Sequence, residues 1–185
     1  MKNRWVFLLY FLIPSVFLLF HCTKISNTII APDEGTNLII NPSFEENGDS
    51  SLVGWNAKIP STVNFTKDTP PNGGKWALTI DVLWGIGNNV ITTVNIPPGI
   101  HVYNFSFWSK YFVKPGYADL SLVTADSIYI INHIQINSDV WTNYSMIDTI
   151  TSNSGDSLSV ILSGGFSITV PGNTFFELCT LEHLE

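Results

Sequence analysis

From Asn37 onward the apolar residues of this chain recur at every second position, in short runs separated by Gly, Pro, Asn and Asp. A period of two sends alternate side chains to opposite faces of an extended strand, so each run reads as a strand with one face on a core. Lys75–Val82 sets Trp76, Leu78, Ile80 and Val82 against Ala77, Thr79 and Asp81. Asn89–Asn95 aligns Val90, Thr92 and Val94, after which Pro97, Pro98 and Gly99 force a turn. In His101–Lys110, Tyr103, Phe105 and Phe107 share one face, while Asn104, Ser106, Trp108 and Lys110 share the other. Tyr117–Thr124, Ser127–Ile134, Trp141–Asp148, Ser157–Leu162 and Phe175–Leu181 repeat the pattern, and no sustained helical stripe interrupts it. The series predicts an all-β chain folded as an antiparallel β-sandwich of jelly-roll type. Trp55, Trp76 and Trp141 are expected in its core.

Residues 1–21 are of a different kind. Lys2 and Arg4 precede an apolar run from Trp5 to Phe20, too short for a comfortable membrane span and followed at once by polar residues. That order reads as a secretory signal, with an uncleaved anchor as the alternative. Cys22 directly follows, and Leu19 to Cys22 resembles a bacterial lipoprotein box, which implies lipidation of Cys22 and a membrane anchor. Phe20 and His21 are bulkier than the small residues usual in such a box. Residues 22–36 then read as a polar tether, and 37–185 as one domain. These features place the protein outside the cytoplasm, in a bacterial cell envelope, at the outer membrane or cell surface. Cys179 reads as a small buried hydrophobe; a bond to Cys22 arises only if the lipobox reading fails.

Charge narrows the partners. Charged residues are 12% of the chain and the net charge is −7; without Lys2 and Arg4 it would be −9. Arg4 is the only arginine, and the lysines beyond the leader are scattered. Nucleic acid is therefore excluded as a partner, as is a bidentate phosphate clamp. No Gly-x-Ser-x-Gly elbow or His-Glu-x-x-His occurs, and His101, His133 and His183 have no neighbouring Cys or His at metal spacing. The spacing of Asp81 and Asp119 does not favour a glycosidase pair. No enzyme is indicated.

Several strings stand in a fixed order: Asn37 to Glu46 (NLIINPSFEE), Gly54-Trp55, Pro71 to Leu78 (PNGGKWAL), Pro98 to Lys110 (PGIHVYNFSFWSK), Trp141 to Tyr144, Gly155 to Val160, and Phe175 to Leu181 (FFELCTL). Together they resemble the galactose-binding-like jelly rolls of the carbohydrate-binding module group that includes families 4, 9 and 22. The resemblance covers residues 37–183 and implies non-catalytic polysaccharide binding. It also implies a structural calcium ion held by Glu45, Glu177 and a backbone carbonyl near Lys75, oxygen ligands suited to a hard cation. Two departures bear on that: Glu177 stands where the family has aspartate, and Pro42 where it has glycine.

A glycan site needs aromatic faces with a few placed polar groups. Trp108, Asn104 and Lys110 on one strand face, Trp84 near a strand end, and Tyr129 are the candidate ligand-binding residues. Tyr129 and His133 are read as sharing a face, beside Asp119 and Ser121 of the preceding strand. The alternative to glycan binding is the same jelly roll used for protein–protein adhesion or envelope assembly, with envelope proteins as partners.

Overall fold

A computed structural model describes residues 35–82, 88–165, 170 and 172–184. The leader, Cys22, nearly all of the tether, and Trp84 lie outside the described residues. Twelve strands follow in order: β1 (Glu45–Glu46), β2 (Asp49–Ser50), β3 (Asn56–Ala57), β4 (Val63–Thr66), β5 (Ala77–Val82), β6 (Asn89–Asn95), β7 (Gly99–Phe112), β8 (Tyr117–Val123), β9 (Ile128–Gln135), β10 (Thr142–Ser152), β11 (Ser157–Ser163) and β12 (Gly172–His183). β1 and β2 form a hairpin. The rest make two five-stranded antiparallel sheets, a back sheet ordered β10-β7-β12-β5-β4 and a front sheet ordered β3-β6-β11-β8-β9. Every strand expected from the alternation is present within a few residues; the short strands β1 to β4 carry too little periodicity to be read.

The expected inward faces meet between the sheets. Leu78, Ile80, Val90, Tyr103, Phe105, Phe107, Leu120, Leu158, Leu162 and Phe176 are buried in one core. A column of rings ties three back-sheet strands together: Phe107 lies 5.0 Å from Phe105, 5.5 Å from Tyr144 and 6.0 Å from Phe176. Trp55 packs in the core on Phe44, at 5.1 Å, and its indole N–H donates to the Asn41 carbonyl.

Trp76 and Trp141 correct the expectation, since both are only half-buried. β5 begins one residue after Trp76, whose ring sits by the β1–β2 hairpin, its N–H directed at the Gly48 carbonyl and the Lys67 ammonium above it. Thr142 pairs with inward Ser109, so Trp141 falls on the outer side, bonded to Asp68 and edge-on to Phe175. Cys179 is free and fully buried, and burial pushes its thiol far above the usual range, which makes it unreactive.

Two bulges decide which residues share a face. β12 shifts register on β7 between Glu177 and Thr180, with Leu178 in the left-handed region at φ 51°. β9 shifts on β8 where Ile131 is inserted. An extra residue reverses the alternation beyond it. Tyr129 consequently pairs with inward Leu122, whereas His133 pairs with outward Asp119, so the two do not share a face.

Candidate functional site

The outer face of the front sheet is built from small polar side chains. Alternation from buried Leu158, Val160 and Leu162 sends Ser157, Ser159, Ile161 and Ser163 outward on β11. Register then aligns Thr93, Ser159 and Ser121 across β6, β11 and β8, ending at Ile130 on β9. At the usual strand spacing this row is about 14 Å long, enough for several linked monosaccharides. Thr93 and Ser159 hydroxyls bond each other at 2.7 Å. Where the row starts, Gly54, Trp55, Asn56, Ile91, Thr92 and Thr93 line an open depression of about 440 Å³. One row along, Asp119 accepts from or pairs with His133 Nδ1 at 2.6 Å, and the Tyr117 ring lies 5.2 Å from that imidazole. The carboxylate fixes the ring and leaves Nε2 for a ligand.

Three buried polar atoms of this face have no protein partner: Ser121 Oγ, Ser163 Oγ and Asn89 Oδ1. A buried polar group left unpaired costs about 1–3 kcal/mol, so such a concentration marks a surface suited to a hydroxyl-rich ligand. Its strands carry one carboxylate, Asp119, and no lysine or arginine. Sequence reasoning placed Asp119 and Ser121 together correctly but missed Tyr117, Asn56, Thr93, Ser159 and Ser163. The signal was there in β11, whose outward positions are three serines and one isoleucine.

The residues selected from sequence divide between the sheets. Trp108, Asn104 and Lys110 do share the outer face of the back sheet. Trp108 is half-buried between Asn143 and Glu177, and Asn104 between Ile147 and Glu182. Lys110 is already engaged, at 2.5 Å from Asp68 and above the Trp141 and Phe175 rings. Its ammonium holds the Asp68 carboxyl below the usual range, helped by the Trp141 N–H. Tyr129, 57% exposed, belongs to the edge of the other sheet. These residues therefore form no single platform.

Glu45 and Glu177 do converge, through a specific local construction. Asn41, at φ 57°, caps its own turn: its Oδ1 accepts the Glu45 N–H and its Nδ2 donates to the Ser51 carbonyl. The Pro42 carbonyl accepts the Cys179 N–H from the β12 bulge, which docks the turn onto that strand. The substitution of Pro42 for the family's glycine thus leaves its carbonyl in use. On either side of Lys75, the Gly74 N–H donates to Glu177 Oε1 at 2.8 Å and the Trp76 N–H to Glu45 Oε1 at 2.6 Å. A side chain on Gly74 would run into the Glu45 carboxylate, so the close approach requires glycine. Glu177 Oε2 is buried and unpartnered. Burial raises the Glu177 carboxyl to about 7; the Gly74 N–H opposes this and the Glu45 charge adds to it. Two crowded carboxylates with a free oxygen fit a hard cation. Among the described residues no third His, Cys, Asp or Glu joins them, so backbone carbonyls and water would complete its shell.

No protein-family model and no curated protein matches this chain. Solved structures do. A family 61 carbohydrate-binding module, TmCBM61, determined with β-1,4-galactotriose, is 19% identical with a TM-score of 0.57, covering 80% of this chain and 99% of its own. A family 16 module is 21% identical with a TM-score of 0.57, over 78% and 99% of the two chains. The family 22 xylan-binding domain of a Paenibacillus barcinonensis protein is 15% identical with a TM-score of 0.55, over 84% and 97%. The likeness in each case is one of fold, and the fold of this chain is the antiparallel jelly roll on which these carbohydrate-binding modules are built.

Proposed function

We propose that this domain binds polysaccharide without turning it over, along the outer face of the front sheet. The observation that carries this is the array of hydroxyl, amide and carboxylate groups across that face, three of whose atoms are buried without a partner. Glycan hydroxyls would complete those bonds, Asp119 and His133 would orient one sugar, and the Tyr117 ring offers an apolar patch. With no cation on its strands, the face suits neutral chains better than uronic or sulfated ones. Likeness to binding modules matched over nearly their whole length supports the reading. We further propose that lipid on Cys22 holds the protein in the bacterial envelope, and that calcium binds between Glu45 and Glu177 and neutralises them.

A glycan array followed by titration of the best ligand tests this. Asp119→Ala is expected to weaken binding at least tenfold, the loss of one charge-assisted hydrogen bond of about 1.5–3 kcal/mol. Trp108→Ala is expected to change it less than about twofold, since Trp108 lies on the other sheet. The reverse pattern would move the site to the back sheet, and failure to bind any glycan would remove the function. The adhesion reading is favoured by one feature, the edge strand β9, where Ile128, Tyr129 and Ile130 stand exposed and uncharged.

A further inference from the structure

The fold brings together two histidines that lie 82 residues apart in sequence, at the end of the back sheet where the chain enters the domain. His101 Nδ1 and His183 Nε2 are 3.1 Å apart, with the rings edge to face. His183 is buried and His101 partly exposed. Nearby backbone is well tied: the Gly35 N–H donates to the His183 carbonyl, and the Leu184 N–H to that of Val102.

Hydrogen bonding alone leaves this pair incomplete. If His101 Nε2–H donates to the Pro98 carbonyl at 3.4 Å, its Nδ1 accepts from His183 Nε2–H. His183 Nδ1 is then a buried lone pair without a donor. In the opposite tautomers, the Pro98 carbonyl loses its donor and His183 Nδ1–H is a buried donor without an acceptor. The Tyr103 ring lies 5.4 Å from that of His183; its hydroxyl is also buried without a partner, and burial keeps it neutral by raising it to about 12.

We propose that His101 and His183 form a binding site for a divalent transition-metal ion of the zinc, copper or nickel type. Two imidazole nitrogens on a tetrahedral zinc, each about 2.0–2.1 Å from it, stand about 3.3 Å apart, close to the separation already present. Imidazole suits these metals, and hard calcium would not compete for it. Bound through Nδ1, His101 would keep its Nε2–H on the Pro98 carbonyl, the outer bond that fixes a ligating imidazole. His183, bound through Nε2, would carry its proton on Nδ1, which stays without a protein acceptor as it does in the metal-free pair. No third His, Cys, Asp or Glu converges among the described residues, so water would fill the remaining positions and the ion would exchange readily.

Calorimetric titration of the chelator-treated protein with zinc chloride, in excess calcium to block the Glu45–Glu177 pair, tests the proposal. Micromolar binding of one ion is expected, with cobalt giving visible ligand-field bands. His101→Ala, at a partly exposed position, should weaken zinc binding at least tenfold, with only the modest loss of stability expected for one hydrogen bond. His183→Gln should weaken binding as much, at a larger cost in stability because the position is buried, and His133→Ala should have no effect. No binding at millimolar zinc would overturn the proposal. So would binding that survives His101→Ala or is lost with His133→Ala.

Discussion

In chelator, the domain is expected to lose up to about 3 kcal/mol of stability between pH 5 and pH 8 through Glu177 alone. The sign follows from its carboxyl, raised from 4.5 to about 7 by burial and, further, by Glu45. Between those values the folded chain holds a proton that the unfolded chain has released. Stability therefore falls as pH rises through this window, and is fully retained below it. Calcium bound as proposed would reverse the demand, because the ion would favour the ionised pair. Its stabilisation should be small at pH 5 and grow to about 2–3 kcal/mol at pH 8, with calcium near a hundredfold above its dissociation constant. Urea denaturation at each pH, with and without calcium, measures both effects. Glu177→Gln should flatten the pH slope in chelator and abolish the calcium response. A wild-type protein with the same midpoint in calcium and in chelator at pH 8 would end the metal proposal, while the slope would still test the buried carboxyl.

Phe107→Ala is expected to cost about 3–5 kcal/mol, and with it roughly 10–15 °C of thermal midpoint. The ring is fully buried and touches Phe105, Tyr144 and Phe176, so its removal opens a cavity bordered by three strands. None of these neighbours can close the gap without leaving its own packing. Trp108→Ala, one residue along and on the outer face, should cost well under half as much. Chemical denaturation of the two variants checks the contrast. Equal losses would mean that Trp108, not the ring column, anchors β7.

The fold was legible because alternation is a local property. Lys75–Val82, Ser157–Leu162 and the other strands each declare their inward residues without reference to the rest of the chain. Glu45 and Glu177 were also legible, through resemblance, and the structure brings them together at Gly74 and Trp76. The proposed glycan face was only partly so. Asp119 and Ser121 fall on one face of a readable strand, but the unsatisfied groups belong to two serines and an asparagine, which carry no signal as visible as that of Trp108. Trp141 illustrates the difficulty: its size suggests the core, yet alternation from inward Thr142, Tyr144 and Met146 puts the indole on the outer side.

The sequence by itself determined strands β5 to β12, most of their inward faces, and hence a two-sheet sandwich, because side-chain direction in an extended chain depends only on whether a position is odd or even. Tertiary structure alone decided which polar atoms are left buried without a partner, that Tyr129 and His133 part company, and that His101 meets His183. The reason is that a bulge such as Ile131 is invisible until a partner strand defines the register. Likewise, residues 82 apart in sequence become neighbours only through the order in which strands pair.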